Sequence, residues 1–251
     1  MRSFCLIVCF VVLGGLLGAV EPPVAMRVDG VPEIPPQLAE RAQQFQNARS
    51  ASFRSWHPTK REMLIMTRFG DTNQAHYLSN PGGARQQLTF FPERVLPITM
   101  HRGENENFFL FSMDVGGSEF FQNYRFDLDT GRHHLLSDGK SRNEPALLNH
   151  RGDRYIYAST KRNGRDTDLY LARPLGEPAE ELVVEANGTY LATAWSPDDR
   201  KVLVGKYISA NDTDTFVLDV ETKKLEPSAR RALRKHLCSR WNSDGTAKVS
   251  I

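Results

Sequence analysis

A pattern of strand, tight turn and strand recurs four times after residue 50 of this 251-residue chain. Each copy has a strand-ending residue followed by a turn, as in Trp56-His57-Pro58, Met100-His101-Arg102-Gly103, Asn149-His150-Arg151-Gly152-Asp153 and Trp195-Ser196-Pro197-Asp198-Asp199. The strand-ending residues Trp56, Met100, Asn149 and Trp195 are 44, 49 and 46 residues apart. A period of roughly 40–50 residues is typical of propeller blades.

Three further strands follow each turn. The second strands are apolar, at residues 63–66, 108–111, 155–158 and 202–204, and third strands follow at 76–78, 123–126, 168–171 and 215–218. More polar fourth strands lie at 85–89, 134–136, 181–184 and 224–226. One such sheet cannot cover both its faces, so the copies must stack around an axis. The sequence therefore predicts an all-β fold, a partial β-propeller of about four four-stranded blades. The alternative is a β-sandwich of evenly spaced strands.

The first residues predict export. Arg2 precedes an uncharged apolar run at residues 4–17, and Gly18-Ala19 supplies small residues for cleavage. This arrangement is typical of a secretory signal peptide, which places the mature protein in the periplasm or outside the cell. A single membrane anchor is the alternative. Two of the three cysteines, Cys5 and Cys9, lie in this segment, so a mature chain would hold no internal disulfide.

The rest of the chain divides into three parts. Residues 20–50 predict a linker with a short helix from Pro35-Pro36 to about Asn47, which we expect to pack against the propeller. Residues 51–227 contain the blades. Residues 228–251 form an atypical basic tail with Arg230, Arg231, Arg234 and Lys235, followed by Trp241-Asn242-Ser243-Asp244-Gly245, a candidate start of a fifth blade.

Several stretches resemble one family. They are Arg49-Ser50-Ala51-Ser52-Phe53, Thr67-Arg68-Phe69-Gly70-Asp71-Thr72, residues 158–170, Trp195-Ser196-Pro197-Asp198-Asp199 and, most specifically, Gly82-Gly83-Ala84-Arg85-Gln86-Gln87-Leu88-Thr89-Phe90-Phe91-Pro92-Glu93. They resemble the N-terminal propeller of bacterial S9-family serine peptidases, the prolyl oligopeptidase and dipeptidyl peptidase group. The resemblance implies a propeller of seven or eight blades that gates peptide access to an α/β-hydrolase domain. The serine-proline-aspartate turn also occurs in TolB-like propellers, so an exported protein-binding scaffold is the alternative function.

We expect the chain to depart from this family in lacking the hydrolase. A nucleophile elbow requires G-x-S-x-G at a strand-to-helix turn, whereas Ser118 in Val115-Gly116-Gly117-Ser118-Glu119-Phe120 lacks the second glycine. We therefore expect Ser118 to be a hairpin residue and the chain to be inactive alone. The expected partners are a peptide or the missing hydrolase domain, with self-association through open blade edges. We interpret the chain as a truncated or frameshifted relative of a full peptidase.

One candidate site emerges, a mixed-charge hairpin that would face the peptide in a peptidase propeller. Its residues are Arg162, Arg165, Asp166 and Asp168; the alternative is a solvated turn. No cofactor or metal motif is present. His133 and His134 are adjacent on a strand and so point to opposite faces. Asp127, Asp129, Asp219 and Glu221 do not follow the calcium-loop pattern and are expected to form turns. A net charge of +2 gives no reason to expect nucleic acid.

Overall fold

The computed structural model describes residues 26–101, 107–176, 179–228, 238–241 and 247–250. The signal peptide predicted at residues 1–19 and the basic residues of the tail lie outside these ranges. The chain forms two compact units, Met1–Arg49 and Ser50–Ile251. No helix within the described ranges has the length and apolarity to cross a membrane.

The first unit contains helix α1 (Pro36–Gln46). Pro36 occupies the first helical turn, where a missing N–H costs nothing, and the Asn47 N–H donates to the Gln43 carbonyl at the other end. The helix therefore begins and ends where the sequence predicts. Leu38 and Phe45 are exposed, and their packing against the propeller stays a prediction.

The second unit contains four antiparallel four-stranded sheets, the blades. Blade 1 is β1 (Ser52–Trp56), β2 (Met63–Thr67), β3 (Gln74–Leu78) and β4 (Gln86–Gln87), and blade 2 is β5 (Leu96–Met100), β6 (Phe108–Met113), β7 (Gln122–Asp127) and β8 (His133–Leu135). Blade 3 is β9 (Leu147–Leu148), β10 (Tyr155–Ser159), β11 (Asp168–Ala172) and β12 (Glu180–Val184). Blade 4 is β13 (Thr189–Trp195), β14 (Lys201–Ser209), β15 (Asp212–Asp219) and β16 (Lys224–Pro227). The predicted fold class is confirmed.

The turn after each first strand closes with the same backbone hydrogen bond. The donors are the N–H groups of His57, His101, Asn149 and Ser196, and the acceptors are the carbonyls of Glu62, Phe108, Arg154 and Lys201. The residues that end the first strands are therefore Trp56, Met100, Leu148 and Trp195. The prediction of Asn149 for blade 3 is wrong by one residue, because Asn149 already belongs to the turn. The corrected spacings are 44, 48 and 47 residues.

Alternate residues of each strand face opposite neighbours. We call the side of a blade that contacts the following blade its forward face and the opposite side its backward face. The hydrophobic core consists of clusters that join consecutive blades in this way. Leu64 and Met66 of blade 1 meet Phe109 and Phe111 of blade 2. Phe108 and Leu110 of blade 2 meet Tyr155 and Tyr157 of blade 3, and Ile156 and Ala158 of blade 3 meet Val202 and Val204 of blade 4.

A further strand pair, β17 (Cys238–Trp241) and β18 (Ala247–Ser250), lies beyond blade 4 and contacts β13. The Trp241 indole N–H donates to the Ala194 carbonyl at 3.2 Å. The Trp195 indole N–H makes the equivalent bond to the Leu147 carbonyl of blade 3 at 2.9 Å. Trp241 thus occupies the position in β17 that Trp195 occupies in β13.

Candidate functional site

The predicted site residues lie in and beside the turn between β10 and β11. The Gly164 N–H donates to the Thr160 carbonyl at 2.7 Å, and Gly164 has a φ of 74°. The Asn163 side-chain oxygen accepts the backbone N–H groups of Arg165 and Asp166 at 3.0 and 2.9 Å. This local Asx turn fixes the path of the chain without requiring contacts from elsewhere in the molecule.

Arg162 and Asp168 form a bidentate ion pair in this hairpin. The Arg162 Nε and Nη2 atoms lie 2.6 and 3.0 Å from the two Asp168 oxygens. The Asp168 side chain is fully buried, whereas that of Arg162 is 31% exposed. Asp168 also accepts the Ala186 N–H at 2.8 Å, and Arg162 donates to the Ala186 carbonyl at 3.0 Å. The pair therefore fastens the segment after β12 to the hairpin.

Asp166 also bonds to the segment after β12, whereas Arg165 does not contribute to this contact. Asp166 accepts the Asn163 side-chain amide at 2.8 Å and the Gly188 N–H at 2.9 Å, and these hydrogen bonds lower the pKa of Asp166. Arg165 is exposed. The structure thus brings Arg162, Asp166 and Asp168 together around the connecting segment, while the Arg165 side chain faces solvent. Contact of this hairpin with peptide stays a prediction.

Equivalent attachments recur at the first residue of the third strand. Gln74 donates to the carbonyls of Phe91 and Glu93 at 3.0 and 2.9 Å. Gln122 accepts the Gly139 N–H at 3.0 Å and the Ser137 hydroxyl at 2.7 Å. Each buried side chain satisfies backbone groups of the segment that leads to the next blade. Sequence reasoning missed Gln74 and Gln122, and the only signal was a polar residue opening an otherwise apolar strand.

A cleft of about 590 Å³ separates the outer part of blade 2 from blade 3. Its lining includes Arg125, His134, Tyr155, Lys161 and Glu180. The Lys161 ammonium lies 3.7 Å from the centre of the Tyr170 ring and pairs with Glu180. Burial lowers the pKa of Lys161 and raises that of Tyr155 to about 12. Arg125 donates to the Pro174 carbonyl at 2.7 Å across the cleft.

The lining of this cleft combines charged and aromatic side chains with one edge of a sheet. Its wall on the blade 2 side is the outermost strand β8, whose outer edge has no neighbouring strand in its four-stranded sheet. Free backbone groups on a strand edge can pair with another extended chain. Lys161 and Glu180 pair with each other, and Arg125 Nη1 donates to the Pro174 carbonyl, while the buried Arg125 Nε has no hydrogen-bond partner within the described residues.

The first strands of blades 2, 3 and 4 border a second cavity, of about 230 Å³. Met100, Leu148, His150 and Trp195 are among its lining residues. Beside it, the buried Asp199 carboxylate joins two blades: it accepts the His150 N–H and Nδ1 at 2.9 and 2.8 Å and the Arg151 N–H at 2.9 Å.

The remaining candidates form ordinary turns and strand surface. Ser118 lies in the turn between β6 and β7, and its hydroxyl accepts the Phe120 N–H at 3.3 Å. Asp127 and Asp219 each accept two backbone N–H groups of their own hairpin turns. His133 contacts the ring of Phe91 whereas His134 lines the cleft, so the two imidazoles point to opposite faces as predicted. Among the described residues, no group of three metal-ligating side chains converges.

Comparison with known proteins gives a likeness in fold. No protein-family model matches the chain, and no curated protein sequence shows significant similarity. Among solved structures, TolB from Acinetobacter baumannii matches 78% of this chain with a TM-score of 0.58 and 16% identity. A structure from a study of two prolyl endopeptidases matches 78% with a TM-score of 0.62 and 12% identity. Dipeptidyl peptidase 4 from Porphyromonas gingivalis matches 74% with a TM-score of 0.51 and 12% identity.

The chain spans only part of each of these proteins: 47% of the TolB chain, 32% of the prolyl endopeptidase and 28% of the dipeptidyl peptidase. The chain is therefore a β-propeller that resembles in fold both TolB and S9-type peptidases. At these identities the likeness concerns the fold, and it is compatible with both functions that the sequence suggested.

Proposed function

We propose that this chain is a non-catalytic β-propeller module that binds extended polypeptide, as the substrate-gating part of an S9 serine peptidase would. The observation that carries the proposal is the match to a prolyl endopeptidase over 78% of this chain but 32% of that one. The match therefore involves about a third of the larger protein. The mixed-charge cleft and the free edge of β8 support peptide as the ligand class.

A binding and labelling experiment tests this function. The purified chain should bind fluorescent proline-containing peptides, measured by anisotropy, yet neither hydrolyse them nor react with a fluorophosphonate probe. Arg165→Ala should weaken binding by about two- to fivefold, the range of one exposed ion pair. Arg61→Ala is the matched control, since Arg61 is an exposed arginine in the turn between β1 and β2 and does not line the cleft.

Two results would contradict the proposal. Stoichiometric fluorophosphonate labelling would show a serine nucleophile, and the absence of peptide binding would show that extended polypeptide is not the ligand. Equal losses in the two arginine variants would leave peptide binding in place but remove the predicted role of the Arg165 hairpin.

The match to TolB favours a second candidate, an exported propeller that binds folded proteins. We distinguish it by chemical crosslinking of the chain in its host: a folded partner that stays crosslinked when excess peptide is added supports the scaffold.

We also propose export through residues 1–19. Mass spectrometry of the secreted or periplasmic chain should give Val20 as its first residue, and a chain that retains Met1 would contradict cleavage.

The relation to a full peptidase is tested at the gene. We propose that hydrolase-coding sequence lies downstream, in the same or another frame. Sequencing the genomic DNA beyond codon 227 would find it, and the absence of such sequence from every frame would favour the scaffold.

A further inference from the structure

Blade 2 departs from the other blades at one position of its forward face. Strand register pairs Leu110 of β6 with Arg125 of β7. The same register pair in the other three blades consists of two hydrophobic residues: Leu64 and Tyr77, Ile156 and Leu171, and Leu203 and Val217. Tyr77 packs against the cluster between blades 1 and 2, and Leu171 belongs to the cluster between blades 3 and 4. Arg125 therefore stands at a position that elsewhere packs against the next blade.

The cleft of about 590 Å³ between blades 2 and 3 lies where this packing residue is replaced, and Arg125 lines it. The Arg125 Nη1 atom donates to the Pro174 carbonyl, whereas the buried Nε atom has no hydrogen-bond partner in the part of the chain that the structure describes. Buried polar atoms in folded proteins are nearly always paired, so Arg125 is short of one acceptor. Because Nη1 is already used, the Nε and Nη2 edge remains, and such an edge can bind a carboxylate through two parallel hydrogen bonds.

Arg173 is a second cation that departs from the repeat. It directly follows β11, at the position where blades 2 and 4 carry Asp127 and Asp219. Those aspartates accept backbone N–H groups of their own hairpin turns, a role that an arginine cannot take because it has no acceptor. Arg173 is exposed and lines the cleft from blade 3. It also precedes Pro174, which Arg125 contacts, so the two arginines border the same part of the cleft.

The two carboxylates that line the cleft are engaged with other groups. Glu180 pairs with Lys161, and Asp138 accepts two backbone N–H groups of its own turn. Of the described lining residues, three are lysine or arginine and two are carboxylates. The excess positive charge therefore lies at Arg125 and Arg173, one on each wall, and a single negative charge would balance it.

We propose that Arg125 and Arg173 form a carboxylate-binding site in the cleft, which takes an acidic side chain or the C-terminal carboxylate of an extended peptide. The inference rests on the proposed function, because it names the group of the peptide that enters the cleft. Arg125 binds the carboxylate side-on from blade 2, and Arg173 binds it from blade 3. Arginine suits both positions, since its planar guanidinium matches the two oxygens of a carboxylate.

Fluorescence anisotropy with matched peptides and the full chain tests the ligand. Three peptides share one proline-containing sequence and an N-terminal label: a neutral one with a central glutamine and a C-terminal amide, one with glutamate in place of the glutamine, and one with the glutamine and a free C-terminal carboxylate. The wild type should bind at least one carboxylate peptide about tenfold more tightly than the neutral one, the range of a hydrogen bond to a charged group. The peptide that gains affinity shows whether the side chain or the terminus supplies the carboxylate.

Substitutions test the two arginines. Arg125→Gln and Arg173→Gln should each reduce the preference to about twofold or less, because one charged donor is lost, and leave the affinity for the neutral peptide unchanged. Arg173→Glu should reverse the preference by repulsion. Arg61→Gln is the control, since Arg61 is exposed and does not line the cleft, and should retain the full preference. Arg173 is exposed, so its variants should melt like the wild type even if Arg125→Gln does not fold.

The outcomes separate this inference from the proposed function. Equal affinity of the wild type for neutral and carboxylate peptides would overturn the carboxylate site and leave peptide binding in place. A preference that survives in both Arg173 variants would show that the carboxylate binds elsewhere and would overturn the site as well. The absence of binding by all three peptides would overturn the proposed function and this inference together.

Discussion

At position 76 a histidine lies where the later blades carry Tyr124, Tyr170 and Phe216. The edge of one ring faces the other between His76 and Phe69, with centres 5.0 Å apart. Burial lowers the pKa of His76 from its usual 6.5 and outweighs the opposing hydrogen bond at the Gln74 carbonyl. The folded state therefore favours the neutral imidazole of His76. The sequence placed His76 in the third strand but did not show which face of blade 1 the imidazole would occupy.

Acid should destabilise the protein through this residue. The unfolded chain binds a proton near pH 6.5, while the folded chain resists it to lower pH, so stability falls as pH drops through 6.5. Burial lowers the pKa of His57 as well, which adds to the slope. His76→Phe should flatten the decline of urea stability between roughly pH 6.5 and 5. A slope equal to wild type in His76→Phe would show that the imidazole does not titrate on unfolding.

Turns at the scale of single elements were the most predictable part of the fold. Hairpin turns rich in Gly, Asn and Asp form where the sequence places them, because these residues bond locally or adopt positive φ. Gln74, Gln122 and Asp168 were not predictable in the same way. Their partners are backbone groups 17 to 19 residues further along the chain, so their role depends on the path of the connecting segment.

Gly152 and Gly164 have nearly the same φ, 75° and 74°, but different surroundings. A Cβ on Gly152 would fall within the His101 imidazole of the preceding blade, whereas a Cβ on Gly164 would meet nothing within 4 Å. Gly164→Ala should therefore cost only the backbone strain, about 1–2 kcal/mol. Gly152→Ala should cost about 1–3 kcal/mol more, as overpacking does. Urea denaturation of the two variants gives the difference, and equal losses would show that His101 moves aside freely.

At the scale of the whole molecule, the sequence predicted the repeat and hence the stack. A period near 46 residues and alternating apolar strands require covered faces, and the clusters between blades 1 and 2, 2 and 3, and 3 and 4 provide them. The polar links between blades could not be predicted. The second aspartate of Trp195-Ser196-Pro197-Asp198-Asp199 reads as one more turn residue, and only the stacking brings it to His150, 49 residues earlier.

Substitutions of Asp198 and Asp199 distinguish a loss of stability within one turn from a loss of coupling between two blades. Among the described residues, Asp198 accepts hydrogen bonds from its own turn, the Ser196 hydroxyl at 2.6 Å and the Arg200 N–H at 3.2 Å. Asp199 has a side chain that is 2% exposed and accepts three donors of blade 3. Asp199→Asn replaces one acceptor oxygen with an amide, so a buried donor loses its partner at a cost of about 1–3 kcal/mol.

The strands that lose hydrogen-exchange protection distinguish the two aspartates better than the total loss of stability does. In a stack of repeats, stability is the sum of unit and interface contributions, so Asp199→Asn should lower hydrogen-exchange protection in both β10 and β14. Asp198→Asn should lower protection around the blade 4 turn and leave β10 unchanged. Protection losses confined to blade 4 in both variants would mean that other contacts, among them the apolar faces and the Trp195–Leu147 hydrogen bond, hold the two blades together. The carboxylate would then orient the His150 turn without coupling the blades.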